Sequence, residues 1–149
     1  MDKNLVAKAA TSIEADKRKV WDALVTPDAI KQYMFGADVQ SKWSEGSEIT
    51  WKGEMKGKSY EDKGVILRIE PGRTLQYSHF SPMSGKPDKP DKPENYHTVT
   101  IDLSGSGDET EVSLSQDNNA DENARRESEK NWKSMLQGLK EYVEKASQA

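Results

Sequence analysis

The sequence predicts an α+β domain in which a curved antiparallel β-sheet wraps around one long C-terminal helix, with two short helices after the first strand. Three observations predict it. From about Asp38 the apolar residues recur with a period of two, the spacing of strands that present one face to a core. Near the end of the chain, "NWKSMLQGLKEYVEK" carries Trp132, Met135, Leu136, Leu139, Tyr142 and Val143, followed by Ala146. Their spacings of three, four and seven describe one face of a helix. Only two short helical stretches lie elsewhere, and neither is long enough to cover an apolar sheet face, which must be covered by something. The terminal helix is the element with the length and the stripe to do it.

Each element follows in order. "NLVAKAATSIEAD" reads as a first strand that ends at a helix-capping residue, Asp16. In "KRKVWDALV", residues Val20, Trp21, Leu24 and Val25 make a short amphipathic helix. Thr26-Pro27 ends it, because proline disfavours a helical residue before it. Pro27 then suits the first turn of a second helix, Asp28 to Met34. "EITWKG" places Ile49 and Trp51 on one strand face. "KGVILRIEPGRTLQYSHF" reads as a hairpin: Val65, Leu67 and Ile69 alternate, Pro71-Gly72 turns, and Leu75, Tyr77 and His79 alternate back. "TVTIDLSGSGDETEVSLSQ" repeats the design with Val99, Ile101 and Leu103, then Val112 and Leu114. Between these hairpins, residues 82–95 carry a tandem Lys-Pro-Asp unit and read as a solvated loop, since proline at this density cannot hold a ladder. The last helix opens near "NNADENARRESEK", where Asn119 stands three residues before Glu122 as an approximate capping box. Gly138 inside that helix costs up to about 1 kcal/mol against alanine and is tolerated where something packs close to the backbone.

Composition bounds the function. The 149 residues fit one domain spanning 1–149. With 33% apolar and 32% charged residues, the core must be lean and concentrated in the Trp, Tyr and aliphatic strand positions. A net charge of −4 gives no sign of a nucleic-acid partner held by phosphate neutralisation. The absence of cysteine excludes disulfides, thiol catalysis and cysteine metal sites. "MDKNLVAKAATSIEAD" shows no apolar signal core, and no apolar run approaches the length of a membrane span. A cytoplasmic protein without membrane insertion is expected.

Four stretches carry a resemblance: "IEADKRKVWDALVTPDAIKQYM", "GVILRIEPGRTLQYSH", "TVTIDLSGSGDETEVSLSQ" and "NWKSMLQGLKEYV". In that order they resemble the opening strand and two helices, the strand–proline turn–strand, the last hairpin and the C-terminal Trp-x-x-x-Leu-x-x-Leu pattern of the activator of heat-shock-protein-90 ATPase homologue family. That family belongs to the START-like, birch-pollen-allergen-like superfamily of helix-grip proteins. The resemblance spans essentially the whole chain and implies a helix-grip fold. It also implies a cavity between sheet and helix of the kind that binds hydrophobic molecules in relatives, and a possible chaperone partner. Two departures stand at the mouth of that cavity: His79, where family members often carry an aromatic such as Trp, and the longer Lys-Pro loop.

Alternation and the helical stripe give the expected pocket lining as Trp51, Leu67, Tyr77, His79, Val99, Ile101, Trp132, Met135, Leu136 and Leu139. Such residues fill a core as readily as they line an open pocket. If the hairpin pairs symmetrically about residue 88, His79 and His97 lie opposite each other. Two histidines fall short of the three or four ligands a metal site needs. The carboxylate groups Glu45/Glu48, Asp108/Glu109/Glu111 and Asp121/Glu122 flank turns or a helix start and read as solvated charge, as does "RRESEK", where Arg125 and Glu129 have ion-pair spacing. No Ser-His-Asp order, nucleophile elbow or phosphate loop is present, and no cofactor is expected. The expected function is non-enzymatic binding of a small hydrophobic or aromatic molecule. The alternatives are a co-chaperone-like interaction module, and a cyclase or hydrolase using His79 and Tyr77.

Overall fold

A computed structural model describes residues 5–34, 36–55, 57–80, 96–119 and 121–147. The chain runs β1 (Ala7–Ile13), α1 (Lys17–Val25), α2 (Pro27–Tyr33), β2 (Asp38–Ser41), β3 (Glu48–Met55), β4 (Lys58–Glu70), β5 (Thr74–His79), β6 (His97–Ser106), β7 (Glu109–Gln116) and α3 (Glu122–Ser147). The strands form one antiparallel sheet in the order β1-β7-β6-β5-β4-β3-β2. This is the predicted α+β architecture of a curved sheet, two short helices and a long terminal helix. The Lys-Pro segment 82–95 lies outside the described residues.

Local chemistry sets the boundaries. The Asp16 carboxylate accepts from the Lys19 N–H at 2.9 Å and opens α1. Pro27 occupies the first turn of α2. At α3 the cap differs from the expected one. Asp121 accepts from the Ala124 N–H at 2.8 Å, whereas Asn119 is buried and bonded elsewhere. Its amide donates to the carbonyls of Leu5 (2.8 Å) and Gln116 (3.0 Å), and its oxygen accepts from Ser128 Oγ at 2.9 Å. Asn119 therefore ties the N-terminal segment, the end of β7 and the start of α3 together. A capping aspartate one residue from the helix satisfies the first-turn N–H groups better than a residue three positions away.

The apolar face of α3 is buried as predicted: Met135, Leu136, Leu139 and Val143 belong to the core, and Trp132 and Tyr142 pack against it half-buried. The side chain of Ala146 lies outside the described residues. At Gly138, an added Cβ would stand 3.3 Å from Cβ of Tyr33, so the glycine lets α2 and α3 approach closely. The same helix covers the free edge of β1. Glu129 accepts from the Lys8 N–H at 3.1 Å, Glu144 accepts from the Glu14 N–H at 2.9 Å, and Lys140 donates to the Ser12 carbonyl at 2.9 Å. An uncovered edge is a template for pairing with another chain, and these charges occupy it.

Leu67 corrects the alternation. A bulge lies between Ile66 and Arg68: Ile66 faces Tyr77, while Ile69 faces Leu75. The extra residue shifts the parity, so Ile66 is fully buried and Leu67 is 45% exposed. Leu67 is therefore an outward residue and not part of any interior lining. Just before the bulge, the backbone of β5 crowds Gly64. An added Cβ there would lie 1.7 Å from the Ser78 carbonyl oxygen.

Two outcomes are expected. Gly64→Ala forces β4 and β5 apart and should lower stability by about 1–3 kcal/mol or more in urea unfolding. Glu144 is held below its usual carboxylate value of 4.5, first by the Glu14 N–H and then by the Lys140 ammonium. A lowered folded-state value contributes stability that is present above 4.5 and lost as pH falls through the folded value. Glu144→Gln should melt about 1–3 °C lower at neutral pH, and the difference should close in acid below that value.

Candidate functional site

The inner face of the sheet and the short helices enclose a small cavity. Trp51 of β3, Tyr77 of β5, Ile101 of β6 and Met135 of α3 line it, with Leu24, Ile30, Tyr33 and Met34 from the α1–α2 side and Trp43 from the β2–β3 connection. The space open to the centre of a water molecule is about 20 Å³, enough for roughly one water. Ile49 and Leu75 complete its walls, which are apolar and carry the four aromatic rings of Tyr33, Trp43, Trp51 and Tyr77. The rings of Trp51 and Tyr77 lie 5.2 Å apart at 47°, within the range of a favourable aromatic pair. Met34 and Trp43 are half-buried at its margin. Trp43 has φ 54°, a left-handed conformation held by the Ser41 hydroxyl accepting its N–H at 3.0 Å.

Both interior tyrosines stay protonated far above neutrality. Burial pushes the Tyr33 hydroxyl up, with the neighbouring Tyr77 and Tyr142 adding to it, and burial alone does so for Tyr77. Tyr33 donates to the Ala23 carbonyl at 2.8 Å. Among the described residues, no hydrogen bond reaches the Tyr77 hydroxyl.

Beyond Trp51 the inner face turns polar. Asp62 pairs with Trp51 across β3–β4, and His79 with His97 across β5–β6. The expected histidine juxtaposition is therefore present, with ring centroids 6.3 Å apart. Each ring is engaged by something other than its counterpart. His79 Nε2 lies 3.0 Å from Asp62 Oδ2. A carboxylate accepts, so Nε2 carries the proton of this contact. The edge of the His79 ring also meets Trp51, centroids 5.0 Å apart at 70°. His97 Nδ1 donates to the Asp117 carbonyl at 2.9 Å. Among the described residues, Asp62 Oδ1 is a buried side-chain oxygen without a hydrogen-bond partner. A buried orphan acceptor costs about 1–3 kcal/mol, so it marks a place where a donor is missing.

Of the expected lining residues, Trp51, Tyr77, Ile101 and Met135 face the cavity, and His79 lies outside its lining, in edge contact with Trp51. Val99, Leu136 and Leu139 are core residues outside the cavity wall. Trp132 is half-buried, and its indole N–H donates to Gln116 Oε1 at 2.5 Å. Tyr33, Met34 and Trp43 were not expected in the lining, nor Asp62 beside His79. Trp43 is a large aromatic in a turn-like stretch, which is a signal in its own right. Asp62 carries no sequence signal, because its meeting with His79 depends on the register of β3, β4 and β5. Among the described residues, no group of three or more His, Asp or Glu side chains is arranged to hold a metal ion. No helix among them is long and apolar enough to cross a membrane.

Comparison with known proteins accords with this geometry. The family model described as "Activator of Hsp90 ATPase homolog 1-like protein" matches residues 14–144. The chain is 54% identical to ChR145 from Cytophaga hutchinsonii, whose solution structure superposes with a TM-score of 0.81 over 97% of each chain. At the level of fold it is similar to the Aha1 dimer from Colwellia psychrerythraea (20% identity, TM-score 0.71, 93% of this chain and 96% of that one). It is likewise similar to CalU16 from Micromonospora echinospora (23% identity, TM-score 0.69, 93% and 75%). Comparison with curated proteins gives no match.

The Trp132–Gln116 bond is testable. Trp132→Phe keeps the ring but leaves the buried Gln116 oxygen unpaired, and should cost about 1–3 kcal/mol in denaturant unfolding.

Proposed function

The chain belongs to the Activator of Hsp90 ATPase homolog 1-like family, and from that premise we propose that it binds a small apolar or aromatic molecule between the sheet and its helices, without chemical turnover, in the cytoplasm. One observation carries the reading. The cavity is lined in part by Trp51, Tyr77, Tyr33 and Trp43, and the Tyr77 hydroxyl makes no hydrogen bond among the described residues. A hydroxyl not committed to a protein partner can orient a guest. Because the cavity holds only about 20 Å³, admission of a ring requires Met34 and Trp43 to swing outward. Methionine is suited to such repacking, having three rotatable bonds.

The small volume also favours a second reading, in which the interior is structural and the protein works through its surface as a chaperone-interaction module. The two readings separate by experiment. Titration with 2-methoxynaphthalene, followed by nitrogen–proton shift mapping, should perturb Trp51, Tyr77, Tyr33 and the Trp43 indole together. No perturbation at these residues, combined with capture of the host's chaperone, would move the function to the surface.

A further inference from the structure

We propose that Asp62 and His79 form a polar subsite at the rim of the interior that receives the hydroxyl of an aromatic alcohol, whose ring lies against Trp51 and Tyr77. The inference rests on the reading that an apolar molecule occupies the interior, and it adds the chemical class.

The pair is placed by the sheet. Asp62 stands opposite Trp51 in the β3–β4 register. Lys63 and Phe80 exchange backbone bonds of 3.0 and 2.8 Å, which carries the β4–β5 ladder past its named strands. Ile66 pairs with Tyr77 in the same register, so Gly64 comes opposite His79. Gly64 lets the β5 backbone approach closely at Ser78, and His79 Nε2 lies 3.0 Å from Asp62 Oδ2. Trp51 then contacts both rings at once, His79 at 5.0 Å and Tyr77 at 5.2 Å between centroids. The aromatic wall of the cavity and the polar pair thus share one tryptophan.

The atoms left open define what fits. Among the described residues Asp62 Oδ1 is buried and has no partner, and its other oxygen is occupied by His79. His79 is itself only 24% exposed, and its Nδ1 meets no donor among the described residues. Asp62 Oδ1 is an acceptor, so the matching group brings a proton to donate. A hydrogen bond to an ionised carboxylate in a partly dry setting is among the stronger neutral-to-charged contacts. Tyr77, two residues from His79 on the same face, offers a protonated hydroxyl that can donate to the guest's oxygen. A hydroxyl donates its one proton to Asp62 Oδ1 and can accept from Tyr77. An ether of the same shape only accepts, and leaves Asp62 as it is.

The test is a matched pair, 2-naphthol and 2-methoxynaphthalene, titrated calorimetrically into the full-length protein. The naphthol should bind about tenfold more tightly, and Asp62→Leu should reduce the difference to within about twofold while leaving the ether's affinity unchanged. Binding of the naphthol should also shift the ring nitrogens of His79. Equal affinities for the pair in the unaltered protein would overturn the subsite and leave the apolar pocket standing. Tighter binding of 2-naphthylmethylammonium than of 2-naphthol would overturn the assignment of a hydroxyl. If neither naphthalene binds, the pocket reading fails. Phenol titrated against the His79 ring then decides: a shift that Asp62→Leu abolishes keeps the subsite, and no shift removes it.

Discussion

The fold depends on the burial of one helix face. Met135, Leu136, Leu139 and Val143 are almost completely removed from water. At about 1.5–3 kcal/mol per large apolar side chain, their gross contribution is comparable with the net stability of a whole domain. A chain with only 33% apolar residues has little else of that size to draw on. Once α3 lies in the concave face, its flanks reach the edge of β1, and Glu129, Lys140 and Glu144 take up backbone groups there. The same docking brings Gly138 onto Tyr33 and so sets α2 at one end of the interior.

That geometry divides the inner face into an apolar part and a polar part. Toward α2 the walls are Trp, Tyr and Met, and the remaining space is close to one water in size. Past Trp51 the same face carries Asp62, His79 and His97. The division falls at a tryptophan that touches both sides, an arrangement that can hold an amphipathic guest across it. Burial of the Asp62 oxygen runs against stability, and polar atoms left unsatisfied in this way gather at functional sites more than at structural ones.

Family and fold do not by themselves choose between a ligand and a protein partner. The fold is shared with chains only 20–23% identical, among them a dimer from Colwellia psychrerythraea and CalU16 from Micromonospora echinospora. A fold that hosts different roles leaves function to the side chains of its site. Here those side chains are the apolar lining of a small cavity, Trp51 and Tyr77 among it, and the Asp62–His79 pair next to Trp51.

Period and punctuation in the sequence determined the architecture. The 3.6-residue stripe from Trp132 to Val143, the two-residue alternation of Val99, Ile101 and Leu103, the Asp16 cap and the Pro27 start all signal local geometry, and local geometry is written in neighbouring residues. The facing of His79 and His97 was also legible, because a hairpin pairs by the sum of its positions. Tertiary structure alone decided three things. The bulge after Ile66 turned Leu67 outward, since one extra residue reverses every later side chain. Asn119 became a buried tie instead of a cap, because its partners Leu5 and Ser128 are distant in sequence. Asp62 met His79 because three strands fell into one register around Gly64, a coincidence between strands that no single stretch of sequence contains.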